Sequence, residues 1–297
     1  MSYTDKNTIA VLGMFDGMHI GHRAVLENAR RIKMMTGLPI AVFTFMGSAM
    51  LPKYGGRRDV LLMNDEDKLA ELRAQGAAVI TRAGSDVFGY TPEQFFNYLI
   101  KEKFGAKHVV CGYDFRFGKD RAGDIHTLKE LCEANGMELS TVPTTRGGDP
   151  YLPISSTRIR DLVREGEAEK AAELLGHEMY YTLPVVSGKQ LGRTIGFPTV
   201  NQQIPDFMVR PKYGVYAARA VIDGTDYPAM TDIGVKPTVQ SDGEEIMETH
   251  IIGFEGDLYG RTVRVYLRRF IRGERKFESL DELRLQLEND RNECSHI

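Results

Sequence analysis

His19-Ile20-Gly21-His22 stands between the apolar run Ile9-Ala10-Val11-Leu12-Gly13 and a helical pattern from Arg23 to Met35. A strand that ends in a Gly/His turn and opens a helix builds an anion site, because the first helical turn carries unpaired N–H groups and a partial positive charge. Two imidazoles three positions apart add donors aimed at a triphosphate, and when protonated they add charge that matches a leaving pyrophosphate. A lone histidine at a helix start is a cap or a surface group. Together with Phe15-Asp16-Gly17 in a strand–turn–helix context, His19 and His22 point to nucleotide binding.

Two more segments of the first half are candidates for the same site: Gly112-Tyr113-Asp114-Phe115-Arg116-Phe117-Gly118, followed by Arg121 and Asp124, and Ile154-Ser155-Ser156-Thr157-Arg158-Ile159-Arg160. Loops after the strands of an open parallel sheet gather at its carboxyl edge, and hydroxyls, helix-start N–H groups and guanidinium are the set a triphosphate requires. The structural alternatives are that Asp114 and Arg116 brace their own loop, that Ser155 and Ser156 cap a helix, and that Arg158 and Arg160 lie on a solvated face. In the second half, Gly192-Arg193-Thr194-Ile195-Gly196-Phe197-Pro198-Thr199-Val200-Asn201 joins glycines that permit close backbone approach to phosphate with the neutral oxygen ligands Thr199 and Asn201, suited to Mg²⁺ on a nucleotide. Glu248 stands in an alternating strand, is expected to project toward a barrel mouth, and is a candidate general base for phosphoryl transfer; the alternative is an ordinary exposed strand residue.

The elements that position these groups change in type along the chain. Strand-like runs at Ile9 to Leu12, Ile40 to Phe45, Ala77 to Thr81, His108 to Gly112 and Glu138 to Val142 alternate with helical patterns at Arg23 to Met35, Asp65 to Gln75, Thr91 to Phe104 and Ile125 to Asn135. This predicts a parallel, Rossmann-like sheet with crossover helices. Two short helices follow, Thr157 to Arg164 behind a Ser156 cap and Ala168 to Leu175 before Gly176. Beyond about Met179 the pattern becomes antiparallel: Val215 to Ile222 and Tyr227 to Ile233 flank Asp223-Gly224, then Glu248 to Phe254 and Thr262 to Phe270, closed by a helix from about Leu280 to Glu293.

The 297 residues favour two domains, and a net charge of −3 with scattered Lys and Arg gives no footprint for a nucleic-acid backbone. Cys111, Cys132 and Cys294 have neither zinc spacing nor the even count of a disulfide framework, and the polar N-terminus and short apolar runs predict a cytoplasmic protein without signal peptide or membrane span.

The chain resembles the bacterial bifunctional riboflavin kinase/FAD synthetase family from Ile9 to about Asp290. The motifs that carry the likeness are Phe15 to His22, Gly112 to Gly118 with Arg121, Gly123 and Asp124, Ile154 to Arg160, Gly192 to Asn201, Gly234-Val235-Lys236-Pro237-Thr238, and Glu248 to His250 followed by Asp257-Leu258-Tyr259-Gly260. The resemblance implies an α/β Rossmann-like HIGH-type nucleotidyltransferase domain over 1–179 and a riboflavin kinase-like antiparallel β-barrel with a C-terminal helix over 180–297. It implies that Glu248 takes the proton of the ribityl hydroxyl of riboflavin while Thr199 and Asn201 hold Mg-ATP, with Gly192, Thr194, Gly196 and Pro198 around the nucleotide. In the first domain it implies transfer of AMP from ATP to FMN, giving FAD, with His19, His22, Ser156 and Arg160 stabilising the departing pyrophosphate and Gly13, Phe15, Asp16, Gly21, Asp114, Arg116, Ser155 and Thr157 around the ligand. The partners so implied are riboflavin, FMN and ATP, with no nucleic acid, no membrane and at most a weak homo-oligomer.

The chain departs from the family pattern at Met14, where Asn is usual, at Met46-Gly47-Ser48-Ala49, where Asp-Pro-His-Pro is usual, and at Asp232-Ile233-Gly234, where Asn-Ile-Gly is usual. The alternative these departures raise is a riboflavin kinase whose first domain binds nucleotide or flavin without turnover. Met14→Asn restores a polar group beside the triphosphate, so it is expected to raise the rate of FAD formation from FMN and Mg-ATP. An unchanged or lower rate, measured by chromatography of the flavins, contradicts that expectation.

Overall fold

The computed structural model describes residues 7–47, 59–83, 85–145, 152–188, 191–238 and 241–295. The chain forms two compact units, one of Met1–Arg57 with Asn64–Ser156, the other of Arg58–Met63 with Thr157–Ile297. Ser48 and Ala49, the second half of one departure from the family pattern, lie outside the described residues.

In the first unit, β1 (Thr8–Leu12), β2 (Ile40–Phe45), β3 (Ala77–Ala83), β4 (Ala106–Gly112) and β5 (Glu138–Val142) pair in parallel in the order β3-β2-β1-β4-β5. β1 is buried along its whole length, as a central strand covered on both faces must be, and this is why it reads as an unbroken apolar run. The helices end where their caps dictate. Gly37, in the left-handed region at φ 74°, closes Ile20–Thr36. Thr91 and Gln94 form a reciprocal capping box at Pro92–Phe95, a helix that continues in π form over Phe96–Lys103. Asp124 caps Ile125–Ala134 through the Thr127 amide. Phe43, Phe95, Phe96, Phe104, Leu128 and Cys132 fill the core under this layer.

The second unit is a closed antiparallel barrel in the order β10-β7-β6-β11-β8-β9, built from β6 (Met179–Val186), β7 (Val200–Gln203), β8 (Gly214–Ile222), β9 (Thr225–Thr238), β10 (Ser241–Ile251) and β11 (Thr262–Arg272). Asp223 and Gly224 both take positive φ, 51° and 80°, the geometry whose twist suits the β8–β9 hairpin. The sequence pattern does not reveal β6 and β7. Pro184 demotes β6, and β7 is four residues whose Gln202 is fully buried, donating from Nε2 to the carbonyls of Leu183 at 2.7 Å and Val263 at 2.8 Å.

The change of periodicity near Met179 is not where the compact units divide. The helix Ala168–Leu175 buries Ala171, Leu174 and Leu175 and packs on β6 and β11, and the Lys212 amide donates to Val163 in the helix before it. A short stretch from the first half of the chain joins the same unit: the amides of Val60 and Leu61 donate to the Phe207 carbonyl at 3.1 and 2.9 Å, and the Val209 amide donates to Leu61 at 2.7 Å. The C-terminal helix Leu280–Ser295 closes the outer wall, with Cys294 packed among Phe197, Val215, Ala217 and Met230, and Asp290 paired to Arg272 at 2.7 Å.

Leu175 is fully buried, so Leu175→Ala is expected to cost the barrel unit about 2–5 kcal/mol. Chemical denaturation followed by circular dichroism reads this as a lower midpoint for that unit's transition. An unmoved midpoint contradicts the packing of this helix on the barrel.

Candidate functional site

Past β1 the chain turns through three residues in the left-handed region, Phe15 (φ 53°), Gly17 (φ 78°) and Met18 (φ 43°). A bulky residue there is strained and persists only when its surroundings hold it. Phe15 is held by burial at 1% exposure. A Cβ on Gly13 would stand 2.9 Å from the Phe15 ring, which is why that position is glycine.

The turn delivers His19 as the N-cap of Ile20–Thr36, its Nδ1 accepting the His22 amide at 3.3 Å. That bond leaves the Nε2–H as the outward donor. The two imidazoles stack at 3.6 Å between centroids and 16° between planes, and a Cβ on Gly21 would come within 3.2 Å of the His19 ring. Burial pushes His19 down to about 4, and burial, then the neighbouring His19 and Lys68 charges, holds His22 well below the usual imidazole range. Of the two roles open to these rings, donors or added charge, the lowered values favour the uncharged donor form near neutrality. The Nδ1 of His22 is buried without a hydrogen-bond partner.

Ser156 belongs to this turn, its hydroxyl donating to the carbonyl of the buried Asp16 at 2.9 Å, and Ser155 beside it is half-buried. In the Gly112–Asp124 loop, Asp114 is exposed, while Arg116 pairs at 3.2 Å with Asp124. Asp124 is held below the usual carboxylate range first by the Thr127 amide it caps. Thr157 and Arg160 fall in the second unit, where the Arg160 guanidinium is 8% exposed and donates to the Val60 carbonyl and to Thr157 Oγ1, each at 3.0 Å.

In the second unit, the Phe197 amide donates to Gly192 at 2.8 Å and a Cβ on Gly192 would stand 2.1 Å from the Phe197 carbonyl oxygen, so the loop closes only around glycine. Gly196 takes φ 85° beside the exposed Thr194, and the Pro198 carbonyl accepts from His250 Nδ1 at 2.8 Å. Beyond this loop opens a cavity of about 340 Å³ whose lining includes Arg193, Pro198, Thr199, Thr249, Asp257 and Tyr259. Its size suits a nucleotide-sized ligand.

Register fixes the neighbours of the candidate carboxylate. Glu248 pairs across β10 with Asn201 of β7 on one side and Asp232 of β9 on the other. Thr249 and Thr231, each fully buried, bond hydroxyl to hydroxyl at 2.7 Å in the interior. Alternation therefore puts Glu248 on the outer wall rather than facing the barrel mouth as expected. Desolvation, then the Glu274 carboxylate, with Glu248 and Asp290 adding and Arg272 opposing, raises Asp232 to about 6. Glu274 also closes on Gly234, where a Cβ would meet its Oε1 at 2.1 Å. Among the described residues, no group of three or more His, Cys, Asp or Glu could hold a metal ion.

Two functional candidates escaped the sequence reading. Asp232 was visible as a departure, but its register against Glu248 was not. Lys68, 2% exposed, sits one helical turn before Leu72 on the buried stripe of Asp65–Ala74, and a lysine on an apolar stripe was its signal.

Two family models match the chain, one described as FAD synthetase over residues 2–158 and one described as riboflavin kinase over residues 175–297. Curated proteins named bifunctional riboflavin kinase/FMN adenylyltransferase, from Listeria monocytogenes, Escherichia coli K12 and Bacillus subtilis, are each 33% identical over 97%, 96% and 97% of this chain and 91% of their own lengths. A crystal structure described as a macrolide-efflux protein from Streptococcus pneumoniae is similar with TM-score 0.87 and 34% identity, covering 99% of this chain and 95% of that one. Among the described residues of this chain, no helix is long and apolar enough to cross a membrane.

The depressed histidines set a pH dependence. Between about 4 and 6.5 the unfolded chain binds protons at His19 that the folded unit does not, so stability is full above that window and falls as pH drops through it. Denaturation of the first unit is expected at lower denaturant at pH 5 than at pH 7, with His19 and His22 uncharged in a ¹⁵N NMR titration at pH 7. Imidazolium signals at pH 7 contradict the neutral pair.

Proposed function

We infer that this chain, which belongs to the bifunctional riboflavin kinase/FMN adenylyltransferase family, phosphorylates riboflavin to FMN and then adenylylates FMN to FAD, consuming ATP in both steps. The observation that carries the kinase half is the register that sets Glu248 beside Asn201, on a barrel whose Thr199 lines a nucleotide-sized cavity. In this reading the Glu248 carboxylate takes the proton of the terminal ribityl hydroxyl, the oxygen bonds to the γ-phosphorus of ATP, and the bond to the β-phosphate oxygen breaks to release ADP.

The donor set fits Mg²⁺ that arrives with the nucleotide. Thr199 and Asn201 offer neutral oxygens, and the Asn201 amide is 6% exposed and packed so closely on Gly188 that a Cβ there would lie 2.6 Å from its Nδ2. With no all-protein cage among the described residues, phosphate oxygens and waters complete the shell, as this ion prefers. When bound, the ion draws negative charge off the transferring phosphoryl group.

For adenylyl transfer, a phosphate oxygen of FMN bonds to the α-phosphorus of ATP and the bond from that phosphorus to the departing pyrophosphate breaks. The Nε2–H of His19, the helix-start amides and His22 are the donors that orient the triphosphate, so alignment is the main contribution of these neutral groups. A cytoplasmic site for both reactions agrees with three buried free cysteines, and the expected partners remain the small molecules riboflavin, FMN and ATP, without nucleic acid and with at most weak self-association.

Incubation with riboflavin, ATP and Mg²⁺ is expected to yield FMN and then FAD. Glu248→Gln is expected to lower FMN formation by roughly 10²–10⁴-fold while the same protein still converts supplied FMN to FAD. Near-normal kinase turnover in that variant contradicts the role of Glu248, and absence of FAD in the wild type leaves the kinase-only reading.

A further inference from the structure

One buried ammonium stands at the sheet edge from which the histidine turn opens. Lys68 stands at the start of the helix Asp65–Ala74 with its side chain 3% exposed. Its Nζ donates at 2.7 Å to the carbonyl of Phe45, the last residue of β2. β2 lies directly beside β1, with Leu12 opposite Phe43, so Phe45 sits at the same carboxyl edge from which β1 opens into the histidine turn.

One carboxylate pairs with this ammonium and is shared with a backbone amide. Asp65 Oδ1 is 3.5 Å away, and the same carboxylate accepts the Gly47 amide at 2.7 and 3.0 Å. The Lys68 charge also reaches His22, which it helps keep unprotonated, and the unpartnered Nδ1 of His22 stays buried. A purely structural lysine, tying β2 to this helix, would use the Phe45 carbonyl and Asp65, two partners for three N–H groups. It has no need to stand within electrostatic reach of a phosphate-binding imidazole pair.

We propose that Lys68 supplies the positive charge of the adenylyl-transfer site, offsetting the charge that develops on the pyrophosphate as its bond to the α-phosphorus breaks. The electron pair of the broken bond leaves on the pyrophosphate oxygen, and the new bond is to the FMN phosphate oxygen. The proposal rests on the reading of the first unit as an adenylyltransferase.

The test uses full-length Lys68→Met and Lys68→Arg, with FAD formation from supplied FMN and Mg-ATP, the reverse reaction of FAD with pyrophosphate, and riboflavin phosphorylation on the same preparations as the control for a folded chain. Lys68→Met is expected to lower the forward kcat on the order of 10²-fold, raise KM for pyrophosphate in reverse, and let His22 titrate at higher pH by ¹⁵N NMR. Lys68→Arg is expected to retain most of the rate, and riboflavin phosphorylation to be unchanged in both. A Lys68→Met protein with forward kcat within about threefold of wild type overturns the proposal. Equal loss in both variants together with a lower melting temperature overturns it too, assigning Lys68 the structural tie. Wild-type protein that makes no FAD defeats the adenylyltransferase reading itself, a result distinct from either.

Discussion

The hydroxyl-to-hydroxyl bond of Thr231 and Thr249, 2.7 Å long and sealed inside the barrel, is the contact on which the kinase half depends. Side chains of a strand alternate, so a register slip of one residue would turn every group of β10 to the other face. Two buried hydroxyls that satisfy each other resist such a slip, because either alone would be a desolvated polar group. Once Thr249 points inward, Glu248 must point outward, and cross-strand pairing sets Asn201 and Asp232 in the same row. Gln202 secures the neighbouring strand by donating to two backbone carbonyls across the interior.

The first unit relies on backbone strain held by packing. Phe15 and Met18 occupy a conformation most residues avoid, and burial at 1% and 0% exposure keeps them there. The gain is orientation, since the turn places His19 as a cap whose one nitrogen is committed to the helix and whose other is free to donate outward. Burial that fixes these rings also removes their charge. In the proposed division of work, neutral imidazoles and helix amides supply direction and the Lys68 ammonium supplies field.

Much of this was legible in the sequence, for physical reasons. β1 and β2 are buried on both faces, so they stand out as apolar runs, and Thr91, Asp124 and Gly37 mark helix ends because caps satisfy orphan backbone groups. β7 did not stand out, because a buried glutamine that bonds to backbone looks like a surface residue until its partners are known. The division near Met179 followed the change of periodicity, whereas the helix Ala168–Leu175 is committed by burying its apolar side on β6 and β11. At the sites, residue types and spacing were enough to nominate His19, His22, Thr199, Asn201 and Glu248 as candidates. Spacing carries no information on solvation, which is why the charge state of the imidazoles stayed open and the buried Lys68 was passed over.

The most direct measurement is a crystal structure of the protein with riboflavin, ADP and Mg²⁺ bound in the barrel. The account predicts the terminal ribityl hydroxyl within about 2.6–3.2 Å of the Glu248 carboxylate, with the metal on the oxygens of Thr199 and Asn201 and the nucleotide in the cavity lined by Arg193 and Pro198. A ribityl hydroxyl that meets another side chain, with the Glu248 carboxylate beyond hydrogen-bond reach, would contradict it.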